Sequence, residues 1–181
     1  MKRAAELRSL SEDHHHGLVN ARRLRQAASV EGTIREEVVR TFLEFWQKDT
    51  SVHFRREEEV LLPVLARHGG DLAQEPVVKM LNQHARIRGL VMELSDQATD
   101  GSVRPETLQG IGEQLEEHIR LEEREVFPMI EDVLPKEGLK ELGSRLKVQE
   151  AGPRSEPWVP MDGLYYDPWP GPGDSEGGGY D

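Results

Sequence analysis

The feature that most constrains this chain is a short sequence present twice, His-apolar-Arg-x-Glu-Glu followed by a proline five residues on. The copies are His53-Phe54-Arg55-Arg56-Glu57-Glu58 with Pro63, and His118-Ile119-Arg120-Leu121-Glu122-Glu123 with Pro128. In each, a histidine and a glutamate stand four residues apart in a strongly helical context, which stacks the two side chains on one helix face. A neutral imidazole nitrogen beside a carboxylate oxygen is half of a metal site, and two halves suggest a whole one.

The rest of the chain has to supply a fold that brings the copies together. From about Ala4 to Ser29, Leu7, Leu10, Leu18, Ala21, Leu24 and Ala28 recur at helical steps. Thr33, with Glu36 and Glu37 beyond it, reads as the cap of a second helix that runs to about Arg67 and is loosened midway at Asp49-Thr50-Ser51. His68-Gly69-Gly70 is a stop signal, and Asp71 opens a third helix with Val77, Met80, Leu81, Ile87, Leu90, Val91 and Leu94 on its stripe. Pro105-Glu106 starts a fourth, and a short fifth fits Lys136 to Gln149. No segment alternates as a strand. The expected fold is all-α, an up-down-up-down four-helix bundle over residues 1–149 with a short extra C-terminal helix. Residues 150–181 change character to Pro, Gly and Asp, so this tail reads as disordered or as a docking segment. Its Trp158, Tyr165, Tyr166 and Trp169 argue for docking, on the bundle or on a protein partner.

Composition narrows the function. The absence of cysteine removes disulfides, thiolate metal sites and cysteine nucleophiles. A net charge of -11 argues against nucleic acid as a partner, which needs a basic face. No run of apolar residues approaches a membrane span, and the charged N-terminus lacks a signal core, so the expected address is cytoplasmic.

Extending each apolar stripe shows what interrupts it. His14 falls on the core face of the first helix while His15 and His16 turn away; His53 and Glu57 fall inward on the second, His84 on the third, and His118 and Glu122 on the fourth. His53 and His84 lie about 15 residues from the turn between them, and His84 and His118 about 17 from Gly101, so at ~1.5 Å per residue the histidines share one level. Burying two carboxylates without partners costs several kcal/mol each, and no stripe supplies an obvious Lys or Arg. A pair of cations answers that cost. Imidazoles and carboxylates without thiolates suit iron or manganese, and zinc less distinctively. His15, His16 and His68 read as surface or cap residues, and Glu58, Glu59, Glu123 and Glu125 as a solvated face, with Glu58 and Glu123 bordering the site.

The order His, His-x-x-x-Glu, His, His-x-x-x-Glu, with Leu10-Ser11-Glu12-Asp13-His14 and the two motif copies quoted above, resembles the hemerythrin-like, HHE cation-binding domains of the bacterial type over roughly residues 5 to 135. The resemblance implies a hemerythrin-type bundle and a non-haem di-iron centre of two iron ions. It implies terminal ligation by His14, His53, His84 and His118, with Glu57 and Glu122 as bridging carboxylates. Oxygen-carrying hemerythrins have a second histidine four residues after the one on the third helix, where this chain has Arg88, and His-x-x-x-x-Asp on the fourth, where it has His118-x-x-x-Glu122. One imidazole fewer leaves an extra open or water-filled position. Two function classes follow. One is a module that binds or senses dioxygen, nitric oxide or iron and redox state; the other is a di-iron oxidase or peroxidase-like enzyme acting on dioxygen or peroxide, with Glu58 and Glu123 relaying protons.

Overall fold

A computed structural model of the chain describes residues 3–151, and these form helices joined by short turns, with no strand among them. A 3-10 turn, Ala5–Leu7, leads into α1, Arg8–Ala27. Helix α2 is continuous over 33–67, α3 is Glu75–Thr99, α4 is continuous over 105–133, and α5 is Lys136–Ala151. The aromatic tail expected to dock lies outside the described residues.

Local chemistry sets the boundaries. Thr33 is not the cap of α2: Gly32, at φ 68°, holds that position, and Thr33 is the first helical residue. Helix α3 starts four residues later than Asp71, whose carboxylate accepts the Ala73 N–H at 2.8 Å in a turn of its own. Pro76 and Pro105 sit in the first turns of α3 and α4, where a missing N–H costs nothing. Leu134 is extended because Pro135 follows it, and this separates α4 from α5.

Two wide, π-type turns fall on the repeated motif, at Glu57–Leu61 and Glu122–Val126. In each the glutamate carbonyl accepts from the residue five positions on, Leu62 or Phe127. Pro63 and Pro128 come next. A proline ring inside a helix crowds the carbonyl four residues back, and a widened turn relieves the clash. A third wide turn, Trp46–Thr50, covers the place where the sequence suggested loosening, and α2 passes through it unbroken.

Contacts between helices run in opposite numerical senses. Along α1 and α4, Ser11 meets Glu123 while Arg25 meets Glu116; along α1 and α2, Arg56 meets Ser9 and Asp13 while Arg35 meets Ala27. Along α3 and α4, Gln83 meets His118 while Gln97 meets Thr107. Helices α1 and α4 approach closely through glycine: a Cβ on Gly112 would lie 2.6 Å from the Ala21 carbonyl oxygen, and one on Gly17 would lie 2.8 Å from Ile119 Cδ1. Gly17 therefore holds the inward position next to His14, and Leu18, expected on the stripe, is 40% exposed. Leu81, also expected inward, is likewise exposed, while its neighbour Met80 is buried.

The apolar core comes in two parts. One gathers Leu10, Leu61, Leu65, Met80, Phe127 and Ile130, closed by Leu142 and Leu146 of α5. The other gathers Leu24, Phe42, Trp46, Ile87, Leu94 and Ile111. On α1, α3 and α4 the inward histidine falls between residues of the first part and residues of the second, and on α2 His53 lies at the near edge of the second, beside Phe54. A polar layer thus separates two oily ones, which is where low dielectric makes each electrostatic contact strong and each unmet one expensive.

Candidate metal centre

All six candidate residues meet in that layer. His14, His53, His84, His118, Glu57 and Glu122 are buried, the two glutamates completely. Two groups form, His14–His53–Glu57–Glu122 and Glu57–His84–His118–Glu122, and within each group the potential ligand atoms lie within 4.8 Å of one another. The glutamates belong to both. Glu57 turns Oε1 toward His53 Nε2 at 3.3 Å and Oε2 toward His84 Nε2 at 3.3 Å. Glu122 turns Oε2 toward His14 Nε2 at 2.9 Å and Oε1 toward His118 Nε2 at 3.1 Å.

These inner atoms are not otherwise satisfied. Both carboxylate oxygens of Glu57 and of Glu122, and Nε2 of His84 and His118, are buried without a properly formed hydrogen bond. Native interiors rarely leave one such atom unmet, and six around one point is the donor set a pair of cations would take up. The residues fit the metal pair that the sequence suggested, two imidazoles and two shared carboxylates on each side.

The outer ring nitrogens explain how the inner ones are aimed. His14 Nδ1–H donates to Glu123 at 2.7 Å, His53 Nδ1–H to Asp13 at 3.1 Å, His84 Nδ1–H to Glu58 at 2.7 Å, and His118 Nδ1–H to Gln83 Oε1 at 3.3 Å. The pattern is cyclic, since α1 supports the histidine of α2, α2 that of α3, α3 that of α4, and α4 that of α1. Each bond turns Nδ1–H outward and Nε2 toward the centre, and makes Nε2 a better donor to a cation once its own proton has left. Glu58 and Glu123, read from the sequence as mostly solvated, are instead these supports. Sequence reasoning missed Asp13 and Gln83, although each is an acceptor placed directly before an inward helical histidine.

Arginines do approach the layer, but they bind the supports rather than the inner glutamates. Arg3, Arg56 and Arg88 pair with Glu123, Asp13 and Glu58 at 2.8 to 2.9 Å. Arg88 sits over the Phe54 ring, and Phe54 stacks on His84 with centroids 3.8 Å apart; Arg3 sits over Phe127, which stacks on His14 at 5.5 Å. Arg88 is thereby held outside the centre and adds no fifth imidazole-like ligand. Phenylalanine faces and salt-bridged carboxylates together keep water from the rings. His15 and His16 are exposed, and His68 caps the end of α2 and pairs with Glu141 of α5 at 3.0 Å.

The field of the site shows in its proton affinities. Burial opposes charge on His53 and His84, but the surrounding carboxylates outweigh it and raise both pKa values to about 10. His14 is raised in the same way. His118, most dominated by burial and backed only by an amide, falls to about 4. Burial works against Glu58 and Glu123 too, yet their histidine and arginine partners pull both down to about 2, so they stay anionic. Asp13→Ala should leave the fold intact but free the His53 ring to turn, lowering metal affinity about tenfold to a hundredfold. Competition with a chelator measures this, and an unchanged affinity would show that the Asp13 contact is incidental.

Beside His14, His53 and His118 lies a cavity of about 40 Å³, walled in part by Phe54, Thr50 and Ile119. It has room for a few atoms and none for an organic substrate.

The family model of the hemerythrin HHE cation binding domain matches residues 6–130. No curated protein and no solved structure matches the chain significantly.

Proposed function

We propose that this chain, which belongs to the hemerythrin HHE cation-binding domain family, holds two iron ions between its histidines and uses them to bind or sense a small ligand. The ligand classes are dioxygen and nitric oxide, or the iron and redox state of the surroundings. The observation that carries this reading is the pair of buried groups, each with two imidazoles, that share Glu57 and Glu122, each glutamate turning one oxygen to either side. His14 and His53 would hold one ion, His84 and His118 the other, with Glu57 and Glu122 between them. We read the opposed helix contacts as the up-down-up-down bundle of this family, extended by α5, and the cell compartment as the cytoplasm. The mixed nitrogen and oxygen set without sulfur suits iron or manganese over zinc, and the family resemblance favours iron.

When bound, such ions supply Lewis-acid and one-electron chemistry at positions the six side chains leave open. The protein's part is everything else. The cyclic Nδ1 bonds hold four Nε2 atoms at fixed aim, Phe54 and Phe127 exclude water, and the small cavity admits only ligands of a few atoms. A second reading, a di-iron oxidase or peroxidase-like enzyme, draws support from Arg88. Held by Glu58 away from the centre, it leaves the His84–His118 side one imidazole short of the oxygen carriers, which favours reaction with oxygen over its reversible storage.

The test is iron loading under reducing conditions, with metal analysis and optical spectra after exposure to oxygen, peroxide and nitric oxide. About two ions per chain are expected, with oxidation on contact with oxygen rather than a long-lived oxygenated form. Fewer than about one ion per chain would refute the centre, and a stable spectrum reversed by removing oxygen would make the protein a carrier.

A further inference from the structure

We infer that Thr50 is the hydrogen-bond donor that receives the small ligand, and that it tunes the centre toward ligands carrying a strong acceptor atom. The inference builds on the proposed two-ion centre and adds a residue that neither motif copy contains. Thr50 is the last residue of the wide turn Trp46–Thr50, one helical turn before His53, and it borders the cavity beside His14, His53 and His118. The threonine is 8% exposed, and its Oγ1 is buried with no hydrogen-bond partner. Its neighbour Ser51 does bond back, to the Gln47 carbonyl at 3.2 Å, so the helix can satisfy a hydroxyl here and leaves this one open.

A buried hydroxyl without a partner is unfavourable, and a protein that keeps one beside a cavity at its reactive centre has an acceptor for it. Among the other walls, Phe45, Phe54, Leu115 and Ile119 are apolar and have no proton to offer, and His16 is exposed to water. Asp13 also borders the cavity, but its Oδ2 is occupied by His53 and Arg56, and a carboxylate cannot donate. Thr50 is thus placed to donate to an anion or to a reduced oxygen ligand, which accept strongly. Nitric oxide accepts weakly and gains little from it.

The test uses the full chain loaded with iron, azide titrated into the oxidised form and nitric oxide into the reduced form, in the parent, Thr50→Val and Thr50→Ser. Thr50→Val should bind azide about tenfold or more weakly, the effect of losing a hydrogen bond to a charged group, while nitric oxide affinity stays within about threefold. Thr50→Ser should restore azide binding, and iron content should be the same in all three. Without metal, Thr50→Val should melt no lower than the parent, because its hydroxyl has no protein partner to lose. Azide affinity that ignores residue 50 in fully loaded protein, or a lower melting temperature of metal-free Thr50→Val, overturns the role of Thr50 alone. A parent chain that takes up no iron refutes the centre itself, and the inference with it.

Discussion

Glu122→Gln should leave the protein with fewer than about one metal ion per chain, whereas His118→Ala should leave about one. The contrast follows from sharing. Glu122 gives one oxygen to each group, so neutralising it takes an anionic donor from both halves, while His118 serves only the half it shares with His84. Glutamine keeps the volume and one carbonyl oxygen, so the loss reports charge and donor strength rather than a hole in the core. Glu57→Gln should behave as Glu122→Gln does, because Glu57 is divided in the same way between His53 and His84. Metal analysis on protein verified as helical by circular dichroism decides it. Equal metal content in Glu122→Gln and His118→Ala would mean that Glu122 is not shared between two ions, and a parent-like content in Glu122→Gln would remove it from the centre.

Most of the inner layer was legible because helical phase is a strong signal when it repeats. His53 with Glu57 and His118 with Glu122 obey the four-residue rule, and the wide turns that follow them, forced by Pro63 and Pro128, leave that spacing undisturbed. His14 was separable from His15 and His16 because Leu10, Ala21 and Leu24 define the buried face, even though the stripe was misread at Leu18. That misreading has a physical source. The inward position next to His14 is a glycine, chosen for the close approach of Ile119, and periodicity arguments count apolar side chains, of which Gly17 has none. The supports were harder. Glu58 and Glu123 sit at a helix edge where a charged residue is ordinarily solvated, and only the position of the neighbouring helix reveals that each meets a histidine. Asp13 and Gln83 pose the same difficulty, since a polar residue before an inward histidine points sideways, toward a helix whose distance no pattern encodes. The cavity beside Thr50 was invisible for the same reason.

Metal uptake should release protons and strengthen with pH. In the metal-free protein, burial disfavours charge on His53 and His84, but Glu57, Glu122 and the outer carboxylates hold both pKa values near about 10. Glu57 and Glu122 are themselves lowered, against burial and, for Glu122, against Glu57, by the imidazoles around them. At neutral pH the empty layer is therefore a cluster of imidazolium and carboxylate, with protons standing where cations would. The sign for stability is that of groups whose folded pKa is raised. Their contribution is complete below the unfolded value of 6.5 and is lost as pH climbs through about 10. The metal-free form should accordingly melt at falling temperatures between about pH 7 and pH 10. Two ions can bind only if the Nε2 protons of His53 and His84 leave, and His14, also raised, adds its share, so at pH 7 loading should release at least about two protons per chain. Each displaced proton makes affinity rise about tenfold per pH unit, giving about a hundredfold for the pair between pH 7 and 8. Thermal melts with and without metal, and chelator competition in an indicator-dye assay of proton release, measure both sides. The loaded protein should keep its melting temperature across the range in which the metal-free form loses it. An affinity that does not move with pH, or loading without proton release, would mean that His53 and His84 are neutral in the empty layer and that the carboxylates there do not hold protons in place of metal.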